Sequence, residues 1–138
     1  MSKFLIISLL ILSISIPYAA AHPFTIETSP NSASNAQVGI TEIIVHFSEP
    51  IEIDFSSLKV LDSNGEQIDN KDSKYFDGDN SLIVTTPSLE DGVYTVTSKV
   101  LSKIDGHLVN DAFIFAVGDV KIDVGTSHNQ NVSEIVFL

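Results

Sequence analysis

Thr41-Glu42-Ile43-Ile44-Val45-His46-Phe47 is the stretch that decides the fold. Successive side chains of an extended chain point to opposite sides. Thr41, Ile43, Val45 and Phe47 therefore share one face, and Glu42, Ile44 and His46 the other. That is the pattern of a half-buried strand. It stops at Glu49-Pro50, where proline fixes φ and turns the chain.

Working outward, the same alternation recurs. Phe24 and Ile26 alternate in an earlier segment, and Ser57–Asp62 and Ser81–Thr85 are short runs rich in Leu, Val and Ile. Val93–Leu101 and Ala112–Val117 complete the set, with a further short strand expected near Ile51–Phe55 or Gln67–Ile68. Between them lie Ser29-Pro30-Asn31, Asp62-Ser63-Asn64-Gly65, Asp77-Gly78-Asp79-Asn80 and Glu90-Asp91-Gly92, all turn chemistry. No stretch sustains a 3.6-residue period with caps at both ends. About seven short strands separated by turns predict an all-β, antiparallel sandwich or barrel.

The first 21 residues read differently. Lys3 is followed by an apolar run from Phe4 through Ile16 and then by Pro17-Tyr18-Ala19-Ala20-Ala21. A positive start, an apolar middle and small residues three and one before the cut describe a secretory signal. The apolar run is short for a spanning helix, which needs roughly 20 such residues. Cleavage after Ala21 is expected, leaving a chain that begins His22-Pro23-Phe24. His22 would then offer two nitrogens to one metal ion, its free α-amine and its ring.

Removing residues 1–21 leaves 117, enough for one domain and one core. The domain is expected over residues 22–118. Beyond Gly118 the pattern decays: Asp119–Val124 suggests an extra edge strand, Gly125–Asn131 reads as linker, and Glu134–Leu138 is apolar. Residues 119–138 are thus a linker-like tail or an added strand. With no cysteine the core must hold by burial alone, and no second long apolar run follows the signal. Once Lys3 is gone, 18 acids stand against 6 lysines and no arginine, a formal balance of −12. Phosphate contacts need clustered Lys and Arg, so nucleic acid is a poor partner and cations are better ones.

Asp105-Gly106-His107 carries the second chemical signal. In an extended backbone, residues 105 and 107 face the same way, roughly 6.6 Å apart. Asp-Gly is equally a common turn. Taken with His22, the donors are three nitrogens (the amine and two rings) and one carboxylate oxygen. A tetragonal N,O set of that kind suits Cu(II), whereas structural zinc prefers closed Cys and His cages. An α-amine titrates at about 7.7–8.0 against about 10.4 for lysine, so it yields its proton to a metal readily near neutrality.

Several motifs together resemble the CopC family of exported copper-binding proteins. They are His22-Pro23 at the mature start, Ser29-Pro30, Val45-His46-Phe47-Ser48-Glu49-Pro50, Leu89–Val96, Val100–His107 with its Asp-Gly-His, and Phe113-Ile114-Phe115. The resemblance covers nearly all of residues 22–118. It implies a Greek-key β-barrel of cupredoxin-like or immunoglobulin-like form. It also implies Cu(II) bound by His22, Asp105 and His107, with Glu49 matching a family acid near the site. An exported, periplasmic or extracytoplasmic monomer is then expected, which buffers copper or hands it to a membrane copper transporter without catalysis.

The chain departs from the family pattern in two respects. The methionine-rich Cu(I) loop of some members has no counterpart, since Met1 is the sole methionine and leaves with the signal. The aromatic residue usual before Asp-x-His is Thr97 or Ser98 here. Among the other histidines, His46 falls on the outer strand face and reads as surface, and His128 lies in the tail. Asn131-Val132-Ser133 fits an N-glycosylation acceptor.

Two competing classes fit parts of this pattern. An N-terminal His with a second His is also the copper arrangement of polysaccharide monooxygenases. Against it, an anionic Asp would fill a position that oxygen chemistry needs open, and a chain with no Trp and three Tyr offers little flat sugar-stacking surface. A plain sandwich spacer with an incidental Asp-Gly-His becomes the better reading if the mature chain does not begin at His22.

Overall fold

The structure, a computed structural model, describes residues 22–123. The signal segment, His128, the Asn131 triplet and the apolar close lie outside the described residues. In chain order the strands are β1 (Thr25–Ser29), β2 (Asn35–Ala36), β3 (Glu42–Phe47), β4 (Ser57–Leu61), β5 (Lys74–Tyr75), β6 (Ser81–Thr85), β7 (Gly92–Leu101) and β8 (Leu108–Val117). They form two four-stranded sheets, ordered β1-β3-β6-β5 and β2-β8-β7-β4. Only β5–β6 and β7–β8 are joined within a sheet. Every other connection crosses to the opposite sheet, the Greek-key habit of sandwiches.

β3 does what its alternation predicts. Ile43, Val45 and Phe47 are at most 1% exposed and face the second sheet. They meet Leu82 and Val84 from β6, Leu58 and Val60 from β4, Val96 and Val100 from β7, and Phe115 and Val117 from β8. Burying each such side chain stabilises the fold by about 1.5–3 kcal/mol relative to exposure. With no disulfide available, this core is what holds the sheets together.

The edge strand β4 does not end in bare backbone groups. Ser73 Oγ accepts from Leu58 N at 3.0 Å and donates to Leu58 O, while Asp69 Oδ1 accepts from Val60 N at 2.8 Å. Exposed edges invite pairing with other chains, and occupied groups discourage it.

Four expectations need correction. Phe24 and Ile26 do not face the core but are 58% and 57% exposed. The β1–β3 register shifts between Thr25 and Glu27, a bulge at Ile26 that breaks the period of two. The Ile51–Phe55 segment is no strand: Ile51 makes one bridge to Ser102, and Ile53–Phe55 is a 3-10 turn. Gln67 likewise makes only a single bridge, to Leu61. Asp119–Asp123 adds no edge strand, and β2 and β5, each two residues long, were too short to register as periodicity. β8 begins four residues earlier than its apolar stretch, because Leu108–Asp111 pair in register with Ser98–Leu101 of β7.

Candidate metal centre

The β7–β8 hairpin closes through residues 102–107, and its local geometry overturns the extended reading of Asp105-Gly106-His107. Gly106 has φ +71°, a left-handed conformation that side chains disfavour, so the chain turns here. Asp105 closes the turn with its own side chain, accepting from the His107 N–H at Oδ1 (3.0 Å). The two side chains converge through this Asx-type loop. His107 Nδ1 comes within 2.8 Å of Asp105 Oδ2.

His22 reaches the same point from the other sheet, and the Phe47-Ser48-Glu49-Pro50 segment brings it there. Ser48 Oγ accepts from Phe24 N at 3.1 Å, and Ser48 N donates to Phe24 O at 2.9 Å. Pro23 is buried beside this junction. Two residues on, the Pro50 carbonyl accepts from Lys103 N at 3.0 Å, and Glu52 N donates to Leu101 O at 2.8 Å. One short run thus fastens both the N-terminal arm and the hairpin turn. Lys103 secures the far side of the turn, pairing with Asp79 at 3.2 Å and lying 5.3 Å from the Tyr75 ring centre.

His22, Asp105 and His107 each present a ligand atom within 4.8 Å of the others. The imidazoles meet edge-to-face with centres 4.6 Å apart, and His22 Nδ1 stands 3.6 Å from Asp105 Oδ2. Both rings are more than half exposed, while the Asp105 side chain is only 15% exposed. The His107 backbone N–H and then its ring hold the Asp105 carboxyl down at about 2, so it is an anion at neutral pH. Its Oδ2 is buried and faces the two ring nitrogens, His107 Nδ1 at 2.8 Å and His22 Nδ1 at 3.6 Å.

An anionic oxygen facing two ring nitrogens suits a shared cation. Two donors each about 2.0 Å from one ion and at right angles stand about 2.8 Å apart, the His107–Asp105 separation. The residues present fit a metal with nitrogen and oxygen preference and supply no sulfur.

The comparisons with known proteins point the same way. The CopC domain matches residues 25–118. The chain belongs to the CopC family. It is 32% identical over 110 residues to the copper transport protein CutJ of Bacillus subtilis, which spans 78% of this chain but only 20% of CutJ. The chain thus matches about a fifth of the length of that relative. It is 31% identical to protein YobA of Escherichia coli over 80% of this chain and 90% of YobA. Among solved structures, CopC from Methylosinus trichosporium OB3b superposes with a TM-score of 0.64 at 30% identity, covering 70% of this chain and 93% of that one. PcoC, a methionine-rich copper resistance protein of Escherichia coli, gives 0.63 at 21% identity, over 71% of this chain and all of its own, and shows the fold alone. Membership of this family supports copper as the metal.

Two participants were not visible as site residues in the sequence. Ser48 and Ser102 carry no metal chemistry of their own, yet each fixes a segment that bears a candidate ligand. The signal for Ser102 was its place three residues before Asp105, a spacing at which a hydroxyl meets the backbone N–H groups ahead of it. Glu49, read as an outer partner near the site, is 8% exposed and accepts from Ser102 Oγ. His46 does lie on the outer face of β3, but half-buried, with Nδ1 2.6 Å from Ser81 Oγ and its ring against Phe76. It stands opposite Glu27 in the β1–β3 ladder and is no part of the cluster.

Proposed function

We propose that this chain is an exported Cu(II)-binding protein that buffers the ion or delivers it to a membrane copper transporter. The ion is cargo, held by the α-amine and ring of His22, the ring of His107 and the Asp105 carboxylate once the signal is cut after Ala21. The observation that carries this reading is the convergence of the buried Asp105 Oδ2 and two half-exposed imidazoles on one point. Half-exposed rings also suit transfer, since an incoming ligand reaches the ion without opening the core. Titration of the mature protein against competing chelators tests the assignment. One Cu(II) per molecule and no comparable Cu(I) site is the expected result, because the mature chain has neither Met nor Cys. Stronger retention of Cu(I) than Cu(II) would sink it.

The function is binding, not catalysis. An anionic oxygen ligand favours the more highly charged ion and occupies a coordination position, both of which oppose oxygen activation. Copper-loaded wild type is expected to give negligible ascorbate-driven peroxide and no polysaccharide cleavage, with peroxide rising in Asp105→Ala. Robust wild-type turnover on a polysaccharide would transfer the assignment to the monooxygenase class.

A further inference from the structure

Ser102 sits at the hub of a small hydrogen-bond network behind the metal cluster. The residue is 2% exposed, and its hydroxyl oxygen accepts from the N–H groups of Ile104 (3.1 Å) and Asp105 (3.3 Å). The same hydroxyl donates to Glu49 Oε1 at 2.5 Å, across from the end of β3. Its backbone joins in: Ser102 N donates to His107 O at 2.9 Å, and Ser102 O accepts from Gly106 N at 3.1 Å. Four of the turn's backbone groups are therefore tied to this one residue.

A serine hydroxyl has one proton. Glu49 Oε1 accepts from that hydroxyl, and Asp105, whose N–H the same hydroxyl accepts, is the second carboxylate beside it along the turn. Donating to both at once is impossible. We propose that Ser102 is a positioning residue for the copper site: its hydroxyl donates to Glu49, so it holds the turn through the Ile104 and Asp105 N–H groups and leaves Asp105 Oδ2 to the metal. This rests on the copper-site reading above.

Two observations support that division. Glu49 is buried, and a carboxyl group withdrawn from water needs a donor, which the Ser102 hydroxyl supplies. Asp105 Oδ1 already accepts the His107 N–H, which leaves Oδ2 as the oxygen turned to the two ring nitrogens. If Glu49 lost its acceptor oxygens, the hydroxyl would be free to turn toward Asp105 and compete with the ion. Loss of the hydroxyl itself would slacken the turn that carries both Asp105 and His107.

The test is a double-mutant cycle on the mature full chain, reading Cu(II) affinity, the copper EPR spectrum and the melting temperature of the metal-free protein. Ser102→Ala is expected to weaken Cu(II) about 10–100-fold, the range typical of groups that orient metal ligands, and to alter the EPR parameters. Glu49→Leu should do the same to a smaller degree. In an Asp105→Ala background both losses should shrink to within about threefold, because the residue they act through is gone. Equal losses in both backgrounds, or affinity and spectrum unchanged in Ser102→Ala, would overturn the proposal. If Ser102→Ala fails to fold, Glu49→Leu decides the question by the same comparison of backgrounds. Failure of the copper-site reading looks different: Asp105→Ala alone would then bind Cu(II) as tightly as wild type.

Discussion

Placing one glycine ahead of His22 in the mature protein should weaken Cu(II) binding on the order of a thousandfold, about 4 kcal/mol. The extension turns the α-amine into a peptide nitrogen, whose lone pair is delocalised into the adjoining carbonyl and no longer basic. The imidazole of His22 remains, but its chelate with the backbone nitrogen closes only if the ion first displaces a peptide proton, which is held far more tightly than that of an α-amine. Nothing in the sandwich should change, because His22 sits on an arm ahead of β1 and its side chain is 56% exposed. The measurement is chelator competition for Cu(II), with thermal unfolding of the metal-free form as control. Native affinity in the extended protein would remove His22 as the anchor and favour the spacer reading.

Replacing His107 by alanine should be the next largest loss, on the order of a hundredfold, or about 2.7 kcal/mol. Its ring is 59% exposed and contributes no core packing, so stability should move by less than about 0.5 kcal/mol. The backbone N–H that Asp105 accepts stays in place in this variant, which keeps the turn closed. Asp105→Asn makes the complementary change, since an amide oxygen can still cap the turn while the charge is lost. It is expected to weaken binding less than His107→Ala. Chelator competition at one pH orders the three proteins. A His107→Ala protein with wild-type affinity would mean that the second ring is not a ligand.

Much of this was legible in the residues, for identifiable reasons. β3, β4 and β6 could be read because one face of each packs on the opposite sheet, which forces apolar residues into alternate or continuous positions. Phe24 and Ile26 misled because a bulge shifts their phase, and a bulge leaves no mark in a single sequence beyond a broken period. The start of β8 was missed because Leu108–Asp111 gain their place from backbone pairing with β7, not from burial. For the centre, the residue types announced themselves, since an N-terminal His and Asp-x-His are ligand chemistry at sight. Their mode of convergence did not. An extended strand and a left-handed turn both bring residues 105 and 107 together, and only the Gly106 backbone decides between them. Glu49 was read as an acid near the site, but Ser102 stayed hidden because its contribution is a contact between residues 53 apart.

Pro23, buried at the root of the N-terminal arm, has a consequence for the denatured chain. A metal can recruit a peptide nitrogen only by displacing its proton, and proline has no N–H to displace. Copper caught by the amine and ring of His22 therefore cannot continue down the backbone to the next nitrogen. In the unfolded ensemble the ion keeps a two-nitrogen grip, and its native partners Asp105 and His107 lie more than eighty residues away in sequence. Metal affinity is thereby concentrated in the native state. By mass action, the ion then stabilises the native fold by the difference between its binding to the two states at the free concentration present.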